Sequence, residues 1–189
     1  MPLSTDALTS WETAKVILNL LDDQQAMVEF LINAASAYAN RRAGRKLRGR
    51  AVSLRLDGTG CESLTLPEWP ASVSNIWIDE TRAFAEGEAL DPATFHVDEE
   101  SGIIRLFDYE FPNTAACVRV DGSLGYSTIP ADLEQAVLEC VAANLRRLGS
   151  PGAIGLKNVS VDGATSSAYE VDWPTTAVMV FDSYRRRHV

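Results

Sequence analysis

Histidine and cysteine are scarce in this chain of 189 residues, which has two of the former and three of the latter. Neither His96 nor His188 has another His or Cys at ligand spacing, so no metal site is expected. Cys61, Cys117 and Cys140 are odd in number, far apart and free of any C-x-x-C pair, as befits thiols kept reduced. The sequon Asn158-Val159-Ser160 carries no weight without a secretory route. There is no G-x-S-x-G, Walker-type loop or G-x-G-x-x-G, and the short glycine pairings at Gly58–Gly60 and Gly152–Gly155 read as turns. No run approaches the roughly 18 apolar residues that would span a bilayer, so no membrane partner is expected. The start, MPLSTDALTSWETAK, lacks the basic leader and apolar run of a secretory signal. No catalytic residue and no cofactor is expected, and the chain does not read as an enzyme.

Positive charge is also short: 17 Lys and Arg face 26 Asp and Glu, for a net charge of −9. Its distribution says more than its total. Six basic residues, Arg41, Arg42, Arg45, Lys46, Arg48 and Arg50, fall within "RRAGRKLRGR", and Arg185-Arg186-Arg187 stand near the C-terminus. From Asp57 to Glu139, by contrast, 17 acids face only Arg82, Arg105 and Arg119, a local balance of −14. A nucleic-acid grip would gain from aromatic residues among the cations, and none lies between Arg41 and Arg50. Part of the cluster fits a helix C-terminus, where cations offset the negative end of the dipole, and the rest calls for an acidic protein surface or DNA.

Hydrophobic content of 46% and charged content of 23% are those of a globular chain. Thr9 with Glu12 predicts a capping box and a first helix over 10–21, its apolar face built from Ala14, Ile17, Leu18 and Leu21. After Asp22-Asp23, a helix over 23–43 is predicted to bury Met27, Phe30, Leu31, Ala34, Ala35 and Tyr38, with Gly44 as its C-cap. The period then changes to two. "AVSLRL", "ESLTLP", "VSNIWIDE", the hairpin "ATFHVDEESGIIRLF" and "ACVRVDGSLGY" make a β-rich section over 51–126. Its acidic tip, Asp98-Glu99-Glu100, lacks the spacing of a calcium loop and reads as a solvated turn. Pro130 opens a helix over 130–148, and Pro174 opens a short last one. The expected fold is therefore α+β: a helical bundle of about four helices, an inserted section of antiparallel strands and hairpins, and an extended C-terminal arm. The expected division is one domain over 1–148, with the arm and short helix over 149–189.

The order of these elements is similar to that of the head–tail connector proteins of tailed bacteriophages, also called adaptor or head-completion proteins. The matching stretches are "SWETAK", "LINAASAYANRRAGRKL", "LTLPEWP", "FHVDEESGIIRL", "VRVDGSLGYSTIPADLEQAV" and "FDSYRRR". The resemblance implies a connector-like body and a structural adaptor of a phage or phage-like particle. Such an adaptor is a dodecameric ring that joins the portal protein to a stopper or tail protein and prolongs the DNA channel. It implies a place in the neck of the virion, assembly in the host cytoplasm, and passage of genomic DNA without sequence-specific binding. A DNA-binding accessory protein and a stopper or tail-terminator are the alternatives. Within the ring reading, Arg41, Arg42, Arg45, Lys46, Arg48 and Arg50 are candidates for a subunit interface or the DNA channel. Phe181, Tyr184, Arg185, Arg186 and Arg187 are candidates for portal contact. Reversing Arg45 and Arg48 to Glu should stop ring or neck assembly and leave a folded monomer.

Overall fold

A computed structural model describes residues 2–84, 89–148, 158–159, 167–168 and 173–185. The fold is mixed α+β, and the chain divides into two compact units: Met1–Leu47 with Ile129–Val189, and Arg48–Thr128. The first holds the helices and the second is an insertion of strands.

In the helical unit, α1 (Trp11–Leu18) begins one residue later than the capping box predicts. Ser10 is the cap, its hydroxyl accepting from the Thr13 N–H at 3.1 Å, while the Thr9 hydroxyl donates to Glu134 at 2.7 Å. The helix also ends early, because Asn19 takes a left-handed conformation at φ 52° and its N–H closes on the Lys15 carbonyl. Ile17 and Leu21, expected on a buried face, are exposed. A 3-10 turn at Asp22–Gln24, with Lys15 paired to Asp22, leads into α2 (Gln25–Ala43).

The buried face of α2 is Val28, Leu31, Ile32, Ala35, Ser36, Ala39 and Ala43, which shares only Leu31 and Ala35 with the predicted stripe. Met27 and Phe30 lie outside, Phe30 with 56% of its surface exposed. Apolar residues occupy two stripes of this helix, and a non-local contact chooses between them. The N-terminal segment lies along α2, where the Leu8 N–H donates to the Ser36 hydroxyl at 3.0 Å and Asn33 brackets Ser4 and Pro2. Leu8 is fully buried as a result. Gly44 caps the helix at φ 69°, its N–H reaching the Arg41 and Asn40 carbonyls, as predicted.

Helix α3 (Ala131–Leu148) buries Leu133, Ala136, Val137, Leu138, Cys140 and Val141. Burial pushes the Cys140 thiol up to about 12. Two short segments, β7 (Asn158–Val159) and β8 (Ser167–Ala168), pair antiparallel, and α4 (Thr175–Ser183) buries Ala177 and Phe181.

The strand unit contains β1 (Arg50–Leu56), β2 (Ser63–Thr65), β3 (Ala71–Ile78), β4 (Phe95–Asp98), β5 (Ile103–Leu106) and β6 (Val118–Leu124). They form two antiparallel three-stranded sheets, ordered β1-β6-β3 and β2-β5-β4. One core joins them: Leu64, Leu66, Ile104 and Leu106 pack in the same cluster as Ile76, Val118, Val120 and Leu124. The hairpin turns where expected, with the Asp98 carboxylate accepting from the Ser101 hydroxyl at 2.6 Å and Gly102 at φ 70°. A second carboxylate organises the loop after β3. Asp79 accepts from the Thr81 hydroxyl and N–H and from the N–H groups of Ala83 and Phe84, at 2.6–2.8 Å. These bonds hold Arg82 and Phe84 at positive φ, which is costly for residues with a Cβ. They draw the Asp79 carboxyl down to about 2, the Thr81 hydroxyl contributing most.

Strand β3 carries a bulge. Val73 pairs with Gly122 and Asn75 with Asp121, leaving Ser74 unmatched, and its hydroxyl donates to the Asp121 carbonyl at 2.9 Å. A Cβ on Gly122 would lie 2.1 Å from the Ser72 carbonyl oxygen. Gly122→Ala should therefore lower unfolding stability by about 2 kcal/mol or more, measured by denaturant titration. The folded-state carboxyl of Asp79 lies below its unfolded value, so its contribution is complete above the ordinary carboxylate range and is lost as pH falls through about 2. Amide-exchange protection at Ala83 and Phe84 should follow that course, and Asp79→Asn, which cannot accept all four bonds, should abolish it at every pH.

Candidate functional site

The basic residues predicted as a contact face turn out to have different fates. Arg42, on the last turn of α2, forks onto the Asp182 carboxylate of α4 at 2.6 and 2.7 Å. This pairing holds the Asp182 carboxyl below its ordinary range and the Arg42 guanidinium above its own. Arg45 is 6% exposed, and its Nε donates to the Tyr184 carbonyl at 3.2 Å. Lys46 pairs with Asp6 at 2.9 Å, and Arg50 with Glu68 at 2.6 Å. Arg42, Arg45, Lys46 and Arg50 are thus engaged within the chain. Arg41 is exposed and lies 5.6 Å from the centre of the Tyr38 ring. Arg48 is exposed too, and its backbone bridges to Tyr126.

The C-terminal candidates separate in the same way. Phe181 is fully buried and meets Tyr38 edge-on at 6.0 Å, so it serves the core of the helical unit and presents no surface. Tyr184 donates its hydroxyl to Asp132 at 2.7 Å, which fastens the end of α4 to the start of α3. Arg185 is exposed. Arg186 and Arg187 lie outside the described residues.

The structure also joins what lies at opposite ends of the sequence. Arg41, Arg42 and Arg185 line one cavity of about 300 Å³, with Tyr38 as its fourth wall. Trp173 stacks on Tyr38 with ring centres 4.9 Å apart. Tyr38 and Trp173 were missed as site residues; the only sequence signal was the i, i+3 step from Tyr38 to Arg41, which reads equally as core spacing. Chemically the cavity offers guanidinium groups, planar donors whose geometry suits a carboxylate or a phosphate. Among the described residues no group of three or more His, Cys, Asp or Glu could hold a metal ion, and no helix is long and apolar enough to cross a membrane.

The chain is thus a helical unit interrupted by a unit of strands, with a charged, aromatic-walled recess on the helical unit. It belongs to the head completion protein family, whose model matches residues 7–187. The fold is similar to that of solved chains described as the neck of a native gene transfer agent particle computed with C12 symmetry (TM-score 0.58, 19% identity, 100% of this chain and 96% of that one). It is similar also to a chain from the neck of the empty particle, computed with C6 symmetry (0.56, 20%, 100% and 95%). A third likeness is to a chain of the virion of the native particle (0.58, 18%, 100% and 94%). At these identities the likeness is one of fold. No curated protein matches the sequence.

Burial corrects the expectation that reversing Arg45 leaves a folded subunit. A carboxylate in its place would sit unpaired against the Tyr184 carbonyl. Arg45→Glu should lower unfolding stability by about 3 kcal/mol or more, whereas Arg41→Glu should leave the thermal midpoint nearly unchanged. Thermal melts of the two variants side by side check this.

Proposed function

We propose that this protein is a structural adaptor in the neck of a phage or phage-like particle. Identical subunits form a ring between the portal protein and a stopper or tail protein, and the ring prolongs the channel through which genomic DNA passes. Assembly takes place in the host cytoplasm. The observation that carries this reading is the head completion family match over residues 7–187, and the fold's likeness to neck chains supports it. Twelve copies is the number in keeping with necks computed with C12 and C6 symmetry.

The surface chemistry supports assembly. Val16, Ile17, Leu21, Met27 and Phe30 are exposed apolar side chains on α1, the turn after it and the start of α2, more than a solitary subunit needs. The acid-rich stretch over 57–139 and the basic positions outside it suit a head-to-tail contact, in which each copy offers different patches to its two neighbours. Of the basic candidates, Arg41, Arg48 and Arg185 are those whose exposure fits contact with a neighbour, the channel or the portal. Arg42, Arg45, Lys46 and Arg50 act by shaping the subunit that presents them.

Averaged images of particle necks should place this subunit as a ring between portal and tail, and cells lacking it should release DNA-filled heads without tails. Tailed particles formed in its absence, or density for it elsewhere in the particle, would overturn the reading.

A further inference from the structure

The geometry points to the cavity of Tyr38, Arg41, Arg42 and Arg185 as the receptor for one segment of a second copy of the chain, the acidic–aromatic stretch Phe107–Glu110. The inference rests on the ring reading and supplies its contact.

The receptor is cationic beyond its own needs. Asp182 occupies Arg42 with both oxygens, which shows that the recess accepts a carboxylate in forked geometry. Among the described residues, Arg41 and Arg185 form no ion pair. Among the described residues, three guanidiniums face one carboxylate, which leaves room for further negative charge. Nucleic acid fits poorly. Trp173 already stacks on the Tyr38 ring and Arg41 lies over it, so that ring is not free to stack on a base. A chain with a net charge of −9 also repels a polyanion approaching from a distance.

The occupant is set up to match. Phe107 and Tyr109 are 55% and 38% exposed, and Asp108 and Glu110 alternate with them at the surface. None of the four is in an ion pair among the described residues. The stretch is anchored at both ends: the Phe107 N–H donates to the Thr94 carbonyl at 3.1 Å, and the Phe111 N–H to the Cys61 carbonyl at 2.9 Å. Phe111 itself is buried. The backbone that carries two aromatic rings and two carboxylates is therefore tied at both ends before binding, which lowers the ordering cost of a contact. Each copy carries both halves, the cavity on its helical unit and the segment on its strand unit. Such a contact repeats head to tail and closes as a ring when the rotation allows.

The test uses assembled particles. In a Cys61→Ser background, Arg41→Cys with Tyr109→Cys should give a ladder of covalent oligomers on oxidation, and neither cysteine alone should. Separately, R41E/R185E and D108K/E110K should each lower incorporation into necks by about tenfold or more, and the four changes together should restore it. A ring imaged in the neck with no ladder and no effect of either pair overturns this contact and leaves the adaptor reading intact. Loss of incorporation with R41E/R185E but not with D108K/E110K assigns the cavity to another partner and overturns it too. If the same R41E/R185E change abolishes binding to a short DNA duplex, that partner is DNA phosphate. Absence of any ring removes both readings.

Discussion

The helical unit is interrupted: the strand unit is inserted between α2 and α3, so the two halves of the bundle meet only through contacts distant in sequence. The ion pair between Arg42 and Asp182 and the bond from Arg45 to the Tyr184 carbonyl bring together residues 140 and 139 positions apart. Thr9 with Glu134 and Tyr184 with Asp132 add two more ties of the same kind. Loop closure over such distances costs entropy before any contact is gained, so the ties must form together with the buried face of α3. The cations at the end of α2 thus act first as closures of the bundle. Two of them also sit where the negative ends of α2 and α4 need a positive neighbour.

This constraint explains how much of the structure was legible in the sequence. Element types were readable because the chain marks its breaks with Gly44, Pro130 and Pro174, and because the period changes from helical to alternating after Ala51. The alternation in β1 and the hairpin at Asp98–Gly102 follow from local chemistry alone. The buried face of α2 was not readable. Its alanines and two apolar stripes allow either face inward, and the choice rests on Ser36 receiving the N-terminal segment. The fates of the arginines were hidden for the same reason, since nothing within ten residues of Arg42 or Arg45 announces a partner on α4. Phe181 looked like a contact residue next to a basic tail and proved to be core.

Family membership was legible in a different way. No single motif carries chemistry, and the order of short, individually weak stretches does the work. A structural subunit is selected for surfaces and for the placement of elements, so its signature is distributed. The contrast with an enzyme is physical: a reaction needs particular groups at one point, whereas a contact surface tolerates many side chains of similar charge and size.

In the strand unit the chain enters on β1 and leaves on β6, and these strands are neighbours in one sheet. The Gly49 N–H donates to the Tyr126 carbonyl at 2.8 Å just where the two connections run side by side. A side chain on Gly49 would crowd that carbonyl, which lies 2.9 Å from the position of a Cβ. A module whose two ends emerge together can be lengthened, trimmed or exchanged for another without changing the span its host must bridge.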